Sequence, residues 1–336
     1  MGNDREQKVR LGQFFTTKEI WLRPQVVDFI KSVGAKTVLD PFAGDGHLLE
    51  VAKQFGIGDV QGFDVDPSCG WEVNDSLKSI PHFDHAVIIT NPPYLTNYSA
   101  SRKKIFHEVE QYFTSTNFVD LYQIALERCL ESNDYVVAIV PETFINSIFP
   151  KGRLNSVTIL EENPFEDTEC PVCVVCFDKE YKNTSEIKVY KNDQYLGSWA
   201  ELNRYRVKPQ RGAKIVFNAP HGRIALRAVD SQSPTEKIKF MPAEELRYDL
   251  AGIKVSSRLI TLIDMPGVKD EELQRIINES NKILDSYRLA TRDITLSPFK
   301  GNNKEGDRRR RLDYKTARAI LETAYIPSMD LKVLYE

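Results

Sequence analysis

The stretch Thr37-Val38-Leu39-Asp40-Pro41-Phe42-Ala43-Gly44-Asp45-Gly46, TVLDPFAGDG, decides how the first half of the chain is read. A short apolar run ends on an acid and a proline, passes two glycines, and runs into the amphipathic HLLEVAKQF. That is the pattern of a buried strand, a tight turn and a helix. Outward from it, VQGFD (60–64), AVIIT (86–90), YVVAIV (135–140), VTIL (157–160) and VCVVCF (172–177) read as further strands. Several are apolar throughout, as a sheet covered on both faces requires. Residues 24–33, 46–55 and 116–131 carry helical periodicity between them. Strands alternating with helices predict an α/β fold, a doubly wound and mostly parallel Rossmann-like sheet, over residues 1–180.

Glycines after a first strand let backbone N–H groups approach a ligand, and the following helix N-terminus adds a positive dipole. The turn therefore predicts a nucleotide-like cofactor site at Asp40, Pro41, Gly44 and Gly46. Its spacing is not G-x-G-x-x-G, which argues against a dinucleotide. The second strand ends at Asp64, where an acid can accept hydrogen bonds from ribose hydroxyls or simply cap a helix.

The chain has 336 residues, 41% of them apolar and 10% aromatic, enough for a large core in one or two domains. No run approaches a membrane span, and the N-terminus lacks a signal-peptide core, so a cytoplasmic protein with no membrane partner is expected. Five cysteines without a secretion signal indicate reduced thiols. Cys170, Cys173 and Cys176 have a tempting metal spacing, but residues three apart on a strand face opposite ways, so no metal is expected. Residues 1–180 carry 16 Lys and Arg against 27 Asp and Glu, and residues 181–336 carry 29 against 21, giving net charges of −11 and +8. A basic C-terminal half suits a polyanion-binding module, unless the charges are only a solvated face.

After residue 180 the pattern changes to a mixed α+β one. EIKVYKNDQYLGSW reads as a hairpin around Asn192-Asp193, AKIVF and RIALRAV as strands, and KDEELQRIINESNKILDSYRLA as an amphipathic helix. KGNNKEGDRRRRLDYKTAR, with Arg308, Arg309, Arg310 and Arg311 in succession, reads as a charged loop.

DPFAGDG, GFDVD and NPPY (Asn91-Pro92-Pro93-Tyr94), in that order, resemble the S-adenosylmethionine-dependent gamma-type N6-adenine DNA methyltransferases. GQFFTT (12–17), VVAIVPETFINS and PFEDTECPVCVVCF extend the resemblance over about residues 10–180. It implies a catalytic domain over 1–180 and a DNA target-recognition domain over 181–336. It also implies that Phe14 and Thr16 meet the methionine part of S-adenosylmethionine, and that Asp40, Gly44 and Gly46 form its pocket. Asp64 would hold the ribose and Asp75 the adenine amine, while Phe165 would stack on a flipped base opposite Tyr94. Asp75 and Phe165 have ordinary readings too, as a surface acid and a core aromatic. Asp45 departs from the family, which commonly has a small hydroxyl residue there.

NPPY alone could be a strand-ending turn. At the carboxyl edge of a sheet with this cofactor turn, it has a chemical reading. An adenine amine is a poor nucleophile because its lone pair is delocalised into the ring. Asn91 can offer a side-chain oxygen and Pro92 a backbone carbonyl to its two hydrogens, while both prolines fix φ and remove N–H donors. Tyr94 offers a flat face to the extruded base. The nitrogen can shed its proton after the methyl arrives, so no general base is required.

The expected partners are double-stranded DNA, with Arg308 to Arg311 on phosphates, and a cognate restriction endonuclease in a bacterial or phage system. An RNA adenine or protein glutamine methyltransferase sharing NPPY is the alternative. A binding protein without activity is disfavoured by the intact motif. A fused nuclease would rest only on Asp178 with Glu186 and Lys188.

Overall fold

A computed structural model describes residues 16, 19–166, 168–210, 212–246 and 259–326. Phe14 lies outside the described residues. The chain divides into two compact units, Met1–Trp199 and Ala200–Glu336.

Nine strands build the first unit: β1 (Thr37–Asp40), β2 (Asp59–Asp64), β3 (Glu72–Val73), β4 (Ala86–Thr90), β5 (Tyr135–Pro141), β6 (Leu154–Ile159), β7 (Val172–Phe177), β8 (Lys188–Lys191) and β9 (Gln194–Ser198). Their order in the sheet is β3-β2-β1-β4-β5-β7-β6-β8-β9. From β3 to β5 every pairing is parallel. β7 inserts antiparallel between β5 and β6, and β8 is parallel to β6. The chain leaves β1 on one side for β2 and β3, then returns to the other side for β4. That reversal opens a crevice at the carboxyl ends of β1 and β4, where such sheets bind ligands.

Burial follows from sequence. β1, β4 and β7 are buried along their whole length. Val38, Val87, Ile89, Val137 and Ile139 meet α1 (Pro24–Val33) and α2 (His47–Ala52) in one apolar cluster. The alternate residues Leu39, Ile88, Val136 and Ala138 are equally buried, as the two-residue period of a strand covered on both faces demands. Proline at the first position of α1 and left-handed Gly34 at its end set that helix's limits.

Between β4 and β5 the chain makes an excursion: α3 (Asn97–Arg102), α4 (Phe106–Phe113), then α5 (Leu121–Ser132). The helix expected over 116–131 starts later, because Asp120 caps it and its N–H donates to Gln123 Oε1 at 3.2 Å. Cys173 and Cys176 lie buried on β7, as the strand reading requires, and burial pushes the Cys176 thiol up to about 12.

The expected hairpin at Asn192-Asp193 is β8–β9, with Asn192 at φ 48. It pairs with β6 and so extends the first sheet. The compact unit consequently ends at Trp199 and not at residue 180. A short helix α6 (Trp199–Arg204) follows.

The second unit is an antiparallel sheet ordered β10-β13-β11-β12, from β10 (Val216–Phe217), β11 (Ile224–Arg227), β12 (Lys239–Pro242) and β13 (Ile260–Asp264). Leu226, Phe240 and Ile263 share a core with Ile276, Ile283 and Tyr287 of α7 (Asp270–Thr291) and Ile320 and Leu321 of α8 (Tyr314–Tyr325).

The charged loop expected over 300–318 is instead a hairpin, β14 (Ser297–Asn302) with β15 (Arg308–Arg311), followed by α8. Asn303 turns it, its Oδ1 accepting from the N–H groups of Glu305 and Asp307. Four arginines form a strand because Asp230 anchors them. Arg310 N–H donates to Asp230 Oδ2, Asp230 N–H to the Arg310 carbonyl, and Arg309 Nε to the Asp230 carbonyl. The Arg309 guanidinium lies 4.8 Å over the Phe299 ring, and Arg310 is buried. Asp230 also takes both arms of Arg288, each at 2.9 Å.

Removing one partner of a buried, bidentate pair leaves a desolvated charge. We expect Asp230→Ala to destabilise the second unit by about 3 kcal/mol, read as a lowered urea midpoint of the whole protein. A shift below a few tenths of a kcal/mol would show that Asp293 alone satisfies Arg288.

Candidate functional site

The crevice predicted by the strand reversal is a cleft with a cavity volume of about 120 Å³. The β1 turn supplies Asp40, Pro41, Gly44 and Asp45, β2 supplies Asp64, and the loop after β4 supplies Asn91 and Pro93. Thr16, Asp75 and Tyr112 complete its wall. Residues scattered over the first 112 positions thus meet in one place, within the first unit.

Asp40 closes the bottom. It is 1% exposed; Thr90 Oγ1 donates to its Oδ1 at 2.6 Å and the Phe42 N–H at 3.0 Å. Burial outweighs these bonds and lifts the carboxyl to about 7. Asp64 is tied differently. Gly44 N–H donates to Oδ2 and Asp66 N–H to Oδ1, both at 2.9 Å, so the acid on β2 fixes the β1 turn. Each carboxylate oxygen retains capacity for a further donor, as a ribose hydroxyl would provide.

Gly44 and Gly46 have φ 50 and 81, in the left-handed region where glycine carries no side-chain penalty. A second constraint comes from Trp71. A Cβ on Gly46 would fall 2.7 Å from its ring, and one on Gly62 2.5 Å. The Trp71 indole N–H donates to the Gly44 carbonyl at 2.9 Å. Trp71 therefore wedges behind the turn and holds it.

Asp75 faces the cleft, with its Oδ2 accepting from Tyr112 Oη at 3.0 Å and from Lys78 Nζ at 2.9 Å. Burial and Asp75 push the Tyr112 hydroxyl up to about 12, so it stays a donor. Thr16 pairs with Phe165 as an isolated bridge, and its buried Oγ1 has no hydrogen-bond partner among the described residues. A buried hydroxyl beside a cleft calls for a ligand atom.

At the rim, Tyr94 Oη donates to Asn91 Oδ1 at 2.6 Å and lies 2.8 Å from the Ile139 carbonyl. The carboxamide is thereby oriented by a ring three residues on. Pro92 is buried, and Pro93 lines the cleft. Phe165 is 4% exposed and meets Tyr94 edge to face, centroids 6.0 Å apart. The structure brings Asn91 and Pro93 to the cleft and sets Phe165 behind Tyr94, packed in the core.

Arg308 to Arg311 belong to β15 in the other unit. Arg310 is buried and the other three are half-buried. Two members of the nuclease-like triplet are spent on local structure: Asp178 pairs with Lys182 at 3.2 Å, and Glu186 accepts from the Asn183 N–H.

Sequence reasoning missed Trp71, Thr90 and Tyr112. Only Thr90, adjoining NPPY, carried a usable signal, since a hydroxyl at a strand end can bond the acid ending the neighbouring strand.

Charge selects the ligand. Among the described residues lining the cleft are Asp40, Asp45, Asp64 and Asp75, and no Lys or Arg. Phosphate-bearing cofactors are disfavoured and a cationic one is favoured.

Residues 71–166 match the family model described as Eco57I restriction-modification methylase. The matched segment includes Asp75, NPPY and Phe165, and it supports a methyltransferase. Comparison with curated protein sequences finds no match. A solved structure from Listeria monocytogenes, assigned to the class I S-adenosylmethionine-dependent methyltransferases, is similar at 17% identity over 55% of this chain and 67% of that one, TM-score 0.40. A type I restriction enzyme modification subunit, so assigned, from Vibrio vulnificus is similar at 17% identity over 56% of this chain and 50% of that one, TM-score 0.39. A type I restriction-modification methyltransferase subunit from Streptococcus thermophilus is similar at 17% identity over the same shares, TM-score 0.35. The chain spans half the length of the last two. TM-scores this low leave the chemistry to be argued from the residues.

Asp40 gives a pH test. Its folded carboxyl titrates near 7, above the usual unfolded value, so the folded state binds the proton more tightly. Stability from this group is present at acid pH and lost as pH rises through about 7. Asp40→Asn should therefore raise the melting temperature of the ligand-free protein more at pH 8 than at pH 6. An equal change at both pH values would remove Asp40 from the titration.

Proposed function

We propose that the protein is an S-adenosylmethionine-dependent DNA methyltransferase acting on the N6 amine of adenine. One observation carries the reading. At the mouth of a cleft with acidic and uncharged walls, the Asn91 carboxamide oxygen is held by Tyr94 and followed by two prolines. The family match over the same segment supports it.

The residues fit the cofactor. Its sulfonium and ammonium groups are cationic, and four aspartates but no Lys or Arg are among the described residues lining the cleft, Lys78 reaching Asp75 alone from beyond that lining. The buried Thr16 hydroxyl suits the methionine end, Asp64 the ribose, and Asp75 with Tyr112 the adenine end. When bound, S-adenosylmethionine supplies an electrophilic methyl group on sulfur.

The chain's own work is positioning and electrostatics. Asn91 Oδ1 and the Pro92 carbonyl accept the two N–H bonds of the amine, favouring a pyramidal nitrogen with its lone pair aimed into the cleft. Tyr94 Oη, shared between Asn91 Oδ1 and the Ile139 carbonyl, keeps the carboxamide from rotating. Burial holds the Tyr94 hydroxyl well above its ordinary value, so it remains a neutral donor.

Residues 200–336 then serve as the target-recognition unit. Contact with phosphate falls to Arg308, Arg309 and Arg311, since Arg310 is buried. The matched family's description joins restriction to modification, so a companion endonuclease for the same DNA site belongs to this reading.

The test is methyl transfer from labelled S-adenosylmethionine to plasmid DNA, with structured RNA and a glutamine-bearing protein as parallel acceptors. Label on adenine N6 of DNA is expected. Asn91→Ala should lower transfer about 100-fold or more while cofactor affinity changes little. Label on RNA or glutamine alone would falsify the DNA assignment, and near-normal turnover by Asn91→Ala would remove the carboxamide from the mechanism. Tyr94→Phe isolates the hydroxyl: about a tenfold loss in kcat with unchanged cofactor affinity is expected, and an unchanged kcat would show that Asn91 needs no tether.

A further inference from the structure

The longest stretch of the acidic first unit without an acid surrounds NPPY. From His85 to His107 the chain carries no Asp or Glu, though residues 1–180 hold 27. That stretch contains NPPY and, directly after it, α3 with Arg102, Lys103 and Lys104. All three cations are exposed, and Tyr98, one turn before Arg102 on α3, is 62% exposed.

The excursion is anchored at both ends. Thr96 bridges Asp120, the Asn97 N–H donates to the Val119 carbonyl at 3.0 Å, and the Leu121 N–H to the Leu95 carbonyl at 3.1 Å. α3 therefore starts from a clamped point six residues beyond Asn91. Its own length is about 9 Å. On the other side, α4 of the same excursion sends Tyr112 into the cleft wall.

Lys104 adds an independent sign. It has φ 58, the left-handed position that ends α3, with its N–H donating to the Ser101 carbonyl at 3.1 Å and the Ile105 N–H to the Ala100 carbonyl at 3.0 Å. Glycine is the favoured residue at such a cap, and a lysine there is strained. Backbone geometry alone would favour glycine at this position.

Resting on the proposed function, we infer that Arg102, Lys103 and Lys104, with Tyr98 beside them, bind the backbone phosphates of the DNA strand that carries the target adenine, on behalf of the catalytic unit. This surface is separate from the arginine strand of the second unit. It acts at the extruded nucleotide, neutralising phosphates that the aspartates of the cleft would otherwise repel.

The whole protein is tested by DNA binding across a salt series, alongside cofactor binding without DNA and thermal stability. Every phosphate no longer neutralised should flatten the slope of log affinity against log salt by about 0.9. R102A/K103A/K104A should flatten it by up to about three such increments, weaken DNA binding at least tenfold at low salt, and leave cofactor affinity unchanged. Lys104→Gly is the decisive variant: a protein as stable as the parent or more so, yet with weaker DNA binding and a flatter slope, is expected. Raised stability with unchanged DNA affinity and slope would overturn the inference, assigning the run to a solvated helix end. A parent protein that binds neither DNA duplex nor single strand overturns the proposed function itself, and the inference with it. Parent binding to RNA in preference to DNA, abolished in the triple variant, overturns DNA as the partner.

Discussion

A hydrogen bond of 2.6 Å from Thr90 Oγ1 to Asp40 Oδ1 joins the ends of the neighbouring strands β1 and β4, and the candidate site is built around that junction. Parallel strands running side by side end at the same edge, and the cleft opens at the β1 and β4 pair, where the strand order reverses. Asp40 keeps the gap narrow and polar at its base. The carboxyl is buried at a real cost, visible in its lift to about 7, and the Thr90 hydroxyl and Phe42 amide offset only part of that cost. A cation placed in the cleft would offset more. The ligand-free and the cation-bound cleft therefore hold the junction with different strengths, so ligand binding and the stability of the β1 and β4 pair are linked.

The acid on the next strand does a separate job. Asp64 receives two backbone N–H groups and so converts its position on β2 into the shape of the turn after β1. Trp71 presses on that turn from behind, using the space that Gly46 and Gly62 leave open. Cofactor geometry thus depends on a wedge that does not line the cleft. Substituting either glycine would push the indole away and release the Gly44 carbonyl, although neither Cβ would touch a ligand directly.

What could be read from the sequence was what is encoded locally. TVLD with its glycine turn, the acid at 64, and NPPY after AVIIT each combine strand and turn chemistry within ten residues, and all three reach the same cleft. Features set by distant partners stayed hidden. Nothing in RRRR announces a strand, because the acid that organises it lies at position 230. Nothing near Asn192 shows that its hairpin completes the first sheet, since the pairing partner is β6. Tyr112 was invisible for a similar reason: the excursion carrying it has no local sign of a ligand, and only its clamp at Thr96 and Asp120 turns α4 toward the cleft. The role expected for Phe165 rested on resemblance, and the structure places its ring in the core behind Tyr94.

That placement constrains how a base could enter. Stacking a planar base between two rings needs their faces parallel and about 7 Å apart, whereas the Tyr94 and Phe165 rings stand at 68° with centroids 6.0 Å apart. Tyr94 is fixed by its bonds to Asn91 and Ile139, so accommodation falls to Phe165. Its backbone is held by the bridge to Thr16 and by its N–H bond to Asn163 Oδ1. Moving Phe165 aside would disturb Thr16, which lines the cofactor cleft. Under the proposed function, the cofactor and base positions would be joined through the Thr16–Phe165 bridge. Under the proposed reading, a cofactor that satisfies the Thr16 hydroxyl fixes one side of the bridge before a base tests the other. Binding in that order lowers the ordering cost of the second ligand.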